Sequence, residues 1–365
     1  MPQAAACTVL SPELTELPVR AVQFSADAEA AGEAVYLGTG TAEDFERIDR
    51  LGVDLAGKVV VAHSIAPFMV APLLEGRCVA AFVNIGETPD SLIGNFTIAL
   101  YRPPLEPPWP GRPVSYPAVT VEAAAGRTLL STLSLGRPVE LRVEHRARYV
   151  EKESANVVGE IAGSEDGRAL VGAHYDSQLE GPCVWDNGTG IASLLEIARV
   201  LAPTSPRRTI DVVAFGVEEV GLWGSTAYTV LHEQKLAEIV GMANLDAVAS
   251  RYPAKHTIWT DEAMQEFALQ AAHEQGWDVE VVFDARLFAF SDNTPFTDAG
   301  VPACWIWEFP PIHPYYHSSG DVRSLVDERT LAQTAGASAQ VVHRLATLEQ
   351  TDLGRAAAPT TATVV

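Results

Sequence analysis

Apolar residues along this chain gather in short runs of strand length, separated by stretches with helical spacing, and the two kinds alternate. In the first half the order reads as a strand at 35–37, a helix at 42–51, a strand at 58–63, then a helix and a strand reaching 84. A Pro-rich turn region at 102–113 interrupts it, followed by a strand at 116–121, a helix at 122–133 and a closing strand at 138–144. The second half alternates more strongly. Strands are expected at 169–173, 210–215, 239–245 and 303–307, and helices at 191–201, 224–232, 262–274 and 328–345. Such alternation predicts an α/β fold: a central, mostly parallel mixed sheet flanked by helices, preceded by a smaller α/β domain. Boundaries follow at 35–148 for the smaller domain and 149–350 for the larger one. Residues 1–34 are assigned to the larger domain as its amino-terminal segment, and 351–365, rich in Ala and Thr, to a disordered tail.

Composition narrows the function. Of 365 residues, 47% are hydrophobic and 20% charged, the balance of a globular chain long enough for two domains. No apolar run approaches the roughly 18 residues needed to cross a bilayer, and the first residues lack a secretory signal, so a cytoplasmic protein, or one already trimmed for secretion, is expected. A formal net charge of −22 without basic clusters excludes nucleic acid and anionic membrane as partners. The cysteines Cys7, Cys78, Cys183 and Cys304 have no CxxC spacing, which points away from a thiolate metal site. Cys78 and Cys304 sit in apolar runs and are expected in the core.

The candidate chemistry lies where strands of the second half run out into loops, the place an open α/β sheet offers for a shared site. His174 and Asp176 close one strand, Asp186 precedes a helix, Glu218 and Glu219 close the next strand, Asp246 ends a further one, and His317 sits in a late loop. Two divalent ions sharing a water need about four ligands each from imidazole and carboxylate, one of which can bridge. His174, Asp186, Glu219, Asp246 and His317 supply that set. Three carboxylates buried side by side without cations would repel one another and be costly to desolvate. Glu218 and Glu219 point in opposite directions on an extended segment, so one can coordinate while the other serves as general base. Asp176 is placed to accept a hydrogen bond from the His174 ring nitrogen that does not face a metal, although a loop-capping Asp would look the same.

At these residues the sequence resembles the M28 family of zinc aminopeptidases and carboxypeptidases. The likeness is carried by His174-Tyr175-Asp176, Asp186 with the Asn-Gly-Thr-Gly that follows, the block EEVGLWGS from Glu218, Asp246, the block SDNTPF from Ser291, and Tyr316-His317. It covers roughly residues 156–345 and implies a zinc-dependent exopeptidase fold of the phosphorylase/hydrolase type. The resemblance implies one zinc ion held by His174 and Asp246, a second by Glu219 and His317, Asp186 bridging them, Glu218 as the base, a cis peptide between Asp186 and Asn187, and Tyr316 donating to the oxyanion. It further implies a peptide or aminoacyl-amide substrate; no oligomeric state follows from it. The first half resembles a protease-associated domain through LAGKVVV at 55–61 and YPAVTV at 116–121, which would cover the substrate channel.

This chain departs from its relatives in Cys183, Val184 and Trp185 ahead of the bridging Asp, where small residues are usual, and in Asn293, where a His is frequent. Trp185 reads either as pocket lining or as core. The leading expectation is an aminopeptidase. A carboxypeptidase or dedicated amidase would need a basic anchor, for which Arg286 is the candidate, and the scaffold also admits a non-catalytic interaction protein or a glutaminyl cyclase.

Overall fold

The computed structural model describes residues 2–64, 67–98, 113–252, 255–260, 262–274, 276–277, 279–283, 291–309 and 313–347. Two sheets organise them. The first is built from β1 (Pro2–Ser11), β2 (Thr15–Leu17), β3 (Val19–Ala21), β4 (Ala28–Gly38), β5 (Val59–Ala62), β6 (Ala81–Ile85), β7 (Ala118–Val121) and β8 (Glu140–Ala147). The second contains β9 (Val157–Ile161), β10 (Arg168–His174), β11 (Thr209–Phe215), β12 (Ile239–Leu245), β13 (Lys255–Thr260), β14 (Glu280–Phe283) and β15 (Ala303–Phe309).

In the first sheet the order is β2-β1-β8-β4-β5-β6-β7-β3. Its two edge strands, β2 and β3, are separated along the chain by Pro18 alone. A single residue spans a few ångströms, so the sheet has to curl until its edges lie beside each other, which hides strand edges that would otherwise pair with another chain. Val59, Val61, Val83, Val119, Leu141 and Val143 fill the inside of that curl.

Here one expectation is corrected. The segment 1–34, assigned to the larger domain, instead supplies β1, β2, β3 and most of β4 to the first sheet, with β1 and β4 both antiparallel to β8. The strand β1 is rich in Ala and carries few large apolar side chains, so its period was too faint to read. Long-range pairing to β8 is what holds it. Cys78 is a second correction: it is exposed and left-handed (φ 53°), in the turn before β6, whereas Cys304 is fully buried.

The second sheet has the order β14-β13-β15-β12-β10-β11-β9, with β11, β10, β12 and β15 mutually parallel, β9 antiparallel to β11, and β13 antiparallel to β15 but parallel to β14. Alternate residues of β10 face opposite layers, as the two-residue period demands. Ala169, Val171 and Ala173 pack with the helices Thr189–Leu201, Glu262–Glu274 and Glu328–Thr347, while Leu170 joins Phe215, Tyr228, Met242 and Phe296 on the other face. No helix among the described residues is long and apolar enough to cross a membrane. The Pro-rich stretch at 102–112, Arg286 and the tail from 348 lie outside the described residues.

The first sheet carries a pH sensor of its own stability. His145 is fully buried in β8, with Nδ1 bonded to the Ala26 carbonyl at 2.9 Å and Nε2 without a partner. Burial lowers its pKa from the ordinary 6.5, against smaller opposing pulls from that carbonyl and Asp27. The unfolded chain therefore binds the extra proton more readily, and stability should fall as pH drops below 6.5 toward the folded-state value. Urea midpoints measured at pH 5 and pH 7.5 should differ less in His145→Gln than in the parent chain; an equal difference would remove His145 as the source.

Candidate metal centre

The parallel strands β10, β11 and β12 stop at one edge of the second sheet, with His174 opposite Phe215 and Gly172 opposite Asn244 in register. His174 is the last residue of β10, Asp246 follows β12, and Glu218 and Glu219 follow β11 after the turn Gly216-Val217. The loop after β15 brings His317 to the same place, and the turn at 184–188 brings Asp186. All of these side chains are buried.

They form two triads that share one carboxylate. His174 Nε2 lies 3.2 Å from Asp186 Oδ1 and 3.2 Å from Asp246 Oδ1. His317 Nε2 lies 3.3 Å from Asp186 Oδ2 and 3.3 Å from Glu219 Oε2. Asp186 thus gives one oxygen to each triad, and the candidate ligand atoms within each lie within 4.8 Å of one another. Glu218 belongs to neither group.

Each position is held by local bonding. Asp321 accepts from the backbone N–H of Trp185 at 2.8 Å and of Asp186 at 3.0 Å, pinning the turn. Asn187 donates to the Leu245 carbonyl at 2.9 Å and accepts from Gly190 and Ala247, which ties that turn to the end of β12 and sets Asp186 beside Asp246. A Cβ on Gly190 would meet Asn187 Oδ1 at 2.2 Å, so this approach needs a glycine. Asp246 Oδ2 accepts from Ser291 Oγ at 2.6 Å, and Ser291 in turn accepts from Asn244. The peptide between Asp186 and Asn187 is cis. Left-handed backbone occurs at Cys183 (φ 48°), Val217 (61°), Ala247 (54°) and His317 itself (57°), each at or next to this constellation. Strain of about 1–3 kcal/mol per residue persists only where surroundings over-determine it.

Asp176 differs from its expected role. Its carboxylate is 3.7 Å from His174 Nδ1, too far for a good hydrogen bond, and the ring nitrogen instead meets the Asp176 main-chain carbonyl at 3.1 Å. The carboxylate accepts from the N–H groups of Glu218 at 3.0 Å and Glu219 at 3.3 Å. It clamps the backbone of the Glu218-Glu219 dipeptide.

Electrostatics follow from crowding. Burial, reinforced by Asp246, Glu219 and Asp292 and opposed by His174, pushes the Glu218 carboxyl well above its ordinary 4.5. Burial and Asp186 raise Glu219. Burial alone would depress both imidazoles, but Asp246 and Glu218 carry His174 well above 6.5, and Glu219 and Asp186 carry His317 to about 10. Burial also raises Asp292 to about 7 and Asp321 to about 6, the latter against its two backbone bonds. The Tyr316 phenol is pushed well above 10.0 by burial and then by Asp186 and Glu219, so it keeps its proton. Its ring stacks on His317 with centroids 3.6 Å apart and meets Trp185 edge-on at 6.0 Å.

Does this donor set suit a cation? Charge-assisted N–H···O bonds close to about 2.7–2.9 Å, whereas two ligands about 2.0–2.1 Å from a tetrahedral ion stand about 3.3 Å apart. The four imidazole–carboxylate spacings match the edge of a coordination tetrahedron. Glu219 Oε1 is buried without a hydrogen-bond partner. Imidazole and carboxylate in this spacing fit zinc.

Sequence reasoning brought the five candidate ligands to one point but missed three supports: Asp321, Ser291 and Gln178. Ser291 opens the SDNTPF block and Asp321 follows His317 by four residues, so their polar type near those motifs was the available signal. Gln178 had none. Trp185 is 1% exposed, stacked on His313 and bonded to Glu308, and so belongs to the core. Cys183 is buried, its thiol pushed up to about 11 by burial and then by Glu219 and Asp186.

Known proteins share this arrangement of chain. An aminopeptidase of Bacillus subtilis, YwaD, is 28% identical over 245 residues, 63% of this chain and 51% of its own. The chain thus spans about half the length of that relative. Two solved structures share the fold: a Peptidase M28 precursor from Shewanella amazonensis (TM-score 0.73, 20% identity, 96% of this chain and 82% of that one) and BSAP, a zinc aminopeptidase from Bacillus subtilis (TM-score 0.67, 22% identity, 97% and 85%). The model of Peptidase family M28 matches residues 156–342, the whole span from β9 to the last helix in which both triads reside. With more than half its length inside that match, this chain is a member of peptidase family M28.

Proposed function

We propose that the protein is a dizinc exopeptidase that removes the amino-terminal residue of a peptide or aminoacyl amide. The observation that carries this reading is the sharing of Asp186, one oxygen to each triad, at ligand-edge spacing. His174, Asp186 and Asp246 would hold one zinc ion, and Asp186, Glu219 and His317 the other. Bound there, zinc would polarise the scissile carbonyl and lower the pKa of a water molecule.

The chain's own residues do the rest. Glu218, outside both triads, takes the proton from the attacking water on its carboxylate and hands it to the leaving amine. Burial and its carboxylate neighbours raise its pKa above the ordinary 4.5 against the pull of His174, which makes it a stronger proton acceptor than a solvated carboxylate. Asp176 fixes the backbone from which Glu218 and Glu219 project by holding both N–H groups. Tyr316, protonated, offers a hydrogen bond to the oxyanion. The amino-terminal sheet, in the protease-associated reading, covers the substrate approach.

Glu218→Gln should leave zinc content unchanged and lower turnover of an aminoacyl amide by about 10² to 10⁴-fold, measured by steady-state kinetics beside elemental analysis. A near-parental rate removes Glu218 from the mechanism. Zinc should also raise the unfolding temperature of chelated protein, with about 2.7 kcal/mol gained at free zinc one hundred times its Kd, and this gain should shrink in His317→Ala. A panel of free-amine, amine-blocked and carboxylate-terminated substrates decides the end attacked: cleavage of free-amine substrates alone is expected, preference for a free carboxylate would make the enzyme a carboxypeptidase, pyroglutamate formation a cyclase, and no zinc with no turnover an interaction protein.

A further inference from the structure

The two triads are supported differently. His174 and Asp246 are steadied from within the second sheet and its loops, by the Asp176 carbonyl and by Ser291. Glu219 and His317 are steadied from the first sheet. Gln178 Nε2 donates to Glu219 Oε2 at 2.6 Å, while Gln178 Oε1 accepts from Asn95 Nδ2 at 2.7 Å and from Gln23 Nε2 at 3.1 Å. Gln23 follows β3 and Asn95 lies in the connection between β6 and β7. All four side chains are at most 9% exposed.

From these contacts we infer that Gln178 is a positioning residue for the metal position of Glu219 and His317, and that the amino-terminal sheet sets it through Asn95 and Gln23. The inference rests on the dinuclear reading above. A carboxylate only accepts, so Glu219 needs the amide's NH₂ side. Two N–H groups aimed at Gln178 Oε1 leave the amide one satisfied orientation, with NH₂ toward Glu219. The bond engages Glu219 Oε2, the oxygen that also faces His317 Nε2 at 3.3 Å, and fixes the rotation of the carboxylate.

Asn95 acts on the other ligand as well. Its backbone N–H donates to the His317 carbonyl at 2.8 Å, and the next ring, Phe96, lies 5.6 Å from the His317 ring. These contacts hold a histidine whose backbone is left-handed (φ 57°). One dipeptide of the first sheet therefore touches the support of both non-bridging ligands of one triad. Among the described residues it makes no such contact with the other.

The test uses the full chain and reads zinc, not turnover. Gln178→Leu removes the donor. Asn95→Asp keeps the volume but sets an oxygen against Gln178 Oε1, which turns the amide so that its oxygen faces Glu219. Each chain is titrated with zinc against a chelating indicator, with elemental analysis and a melting curve of the chelated protein to establish folding. The parent should bind two zinc ions. Both variants should keep one at parental affinity and bind the second about 10- to 100-fold more weakly, the usual effect of losing a ligand's outer partner. Two zinc ions at parental affinity in both folded variants would overturn the inference, as would equal weakening of both positions, which is what a packing defect produces. If Gln178→Leu does not fold, Asn95→Asp decides. A parent that does not bind two zinc ions fails the dinuclear reading itself, and that result is read before any variant is made.

Discussion

Carboxylates withdrawn from water repel one another unless positive charge stands among them, and Asp186, Glu218, Glu219, Asp246 and Asp292 are all buried around the ends of three parallel strands. Everything distinctive about this edge answers that constraint. Desolvating each charge costs several kcal/mol even after relaxation, so the surrounding bonds have to hold groups where they would not stay unaided. Asp321 and Asn187 lock the turn that carries Asp186, Ser291 occupies one oxygen of Asp246, and Asp176 grips the Glu218-Glu219 backbone. The left-handed residues at 183, 217, 247 and 317 mark where the chain bends sharply enough to aim these groups inward.

Geometry alone gives two adjacent glutamates different surroundings. They share a backbone clamp and a similar degree of burial, yet Glu219 faces His317 and Glu218 stands outside both triads. Burial and carboxylate neighbours raise the Glu218 carboxyl, while Glu219 is drawn toward the His317 imidazole and the Gln178 amide. The two members of a single dipeptide therefore sit in different environments.

The first sheet is more than an appendage to this edge. Tyr315 Oη donates to Asp90 at 2.6 Å, Tyr316 packs against the core around Phe82 and Phe96, and Asn95 bonds the His317 carbonyl. The loop that delivers the last candidate ligand is thus lined on one side by residues from the other half of the chain. Its curl, forced by the single residue between β2 and β3, keeps that lining compact.

Much of this was legible from residue order. Strands at 169–173, 210–215 and 239–245 are predominantly apolar runs of strand length, which report burial on two faces without any knowledge of partners. Polar residues at the ends of such runs had to meet at one edge of a parallel sheet, so His174, Asp186, Glu219, Asp246 and His317 could be named together. Other features belong to the tertiary structure. β1 is too poor in large apolar residues to announce itself and exists through pairing with β8. The Asp176 carboxylate chose two backbone N–H groups over the imidazole because the turn after β11 swings beneath it, a matter of loop path. Gln178 carries no signal at all, being an ordinary polar residue until Gln23 and Asn95, 155 and 83 positions away, meet it. Local pattern determines what each segment becomes and which way it faces; which neutral side chain steadies which ligand is decided only when distant segments pack, since hydrogen bonds at that range leave no period in the sequence.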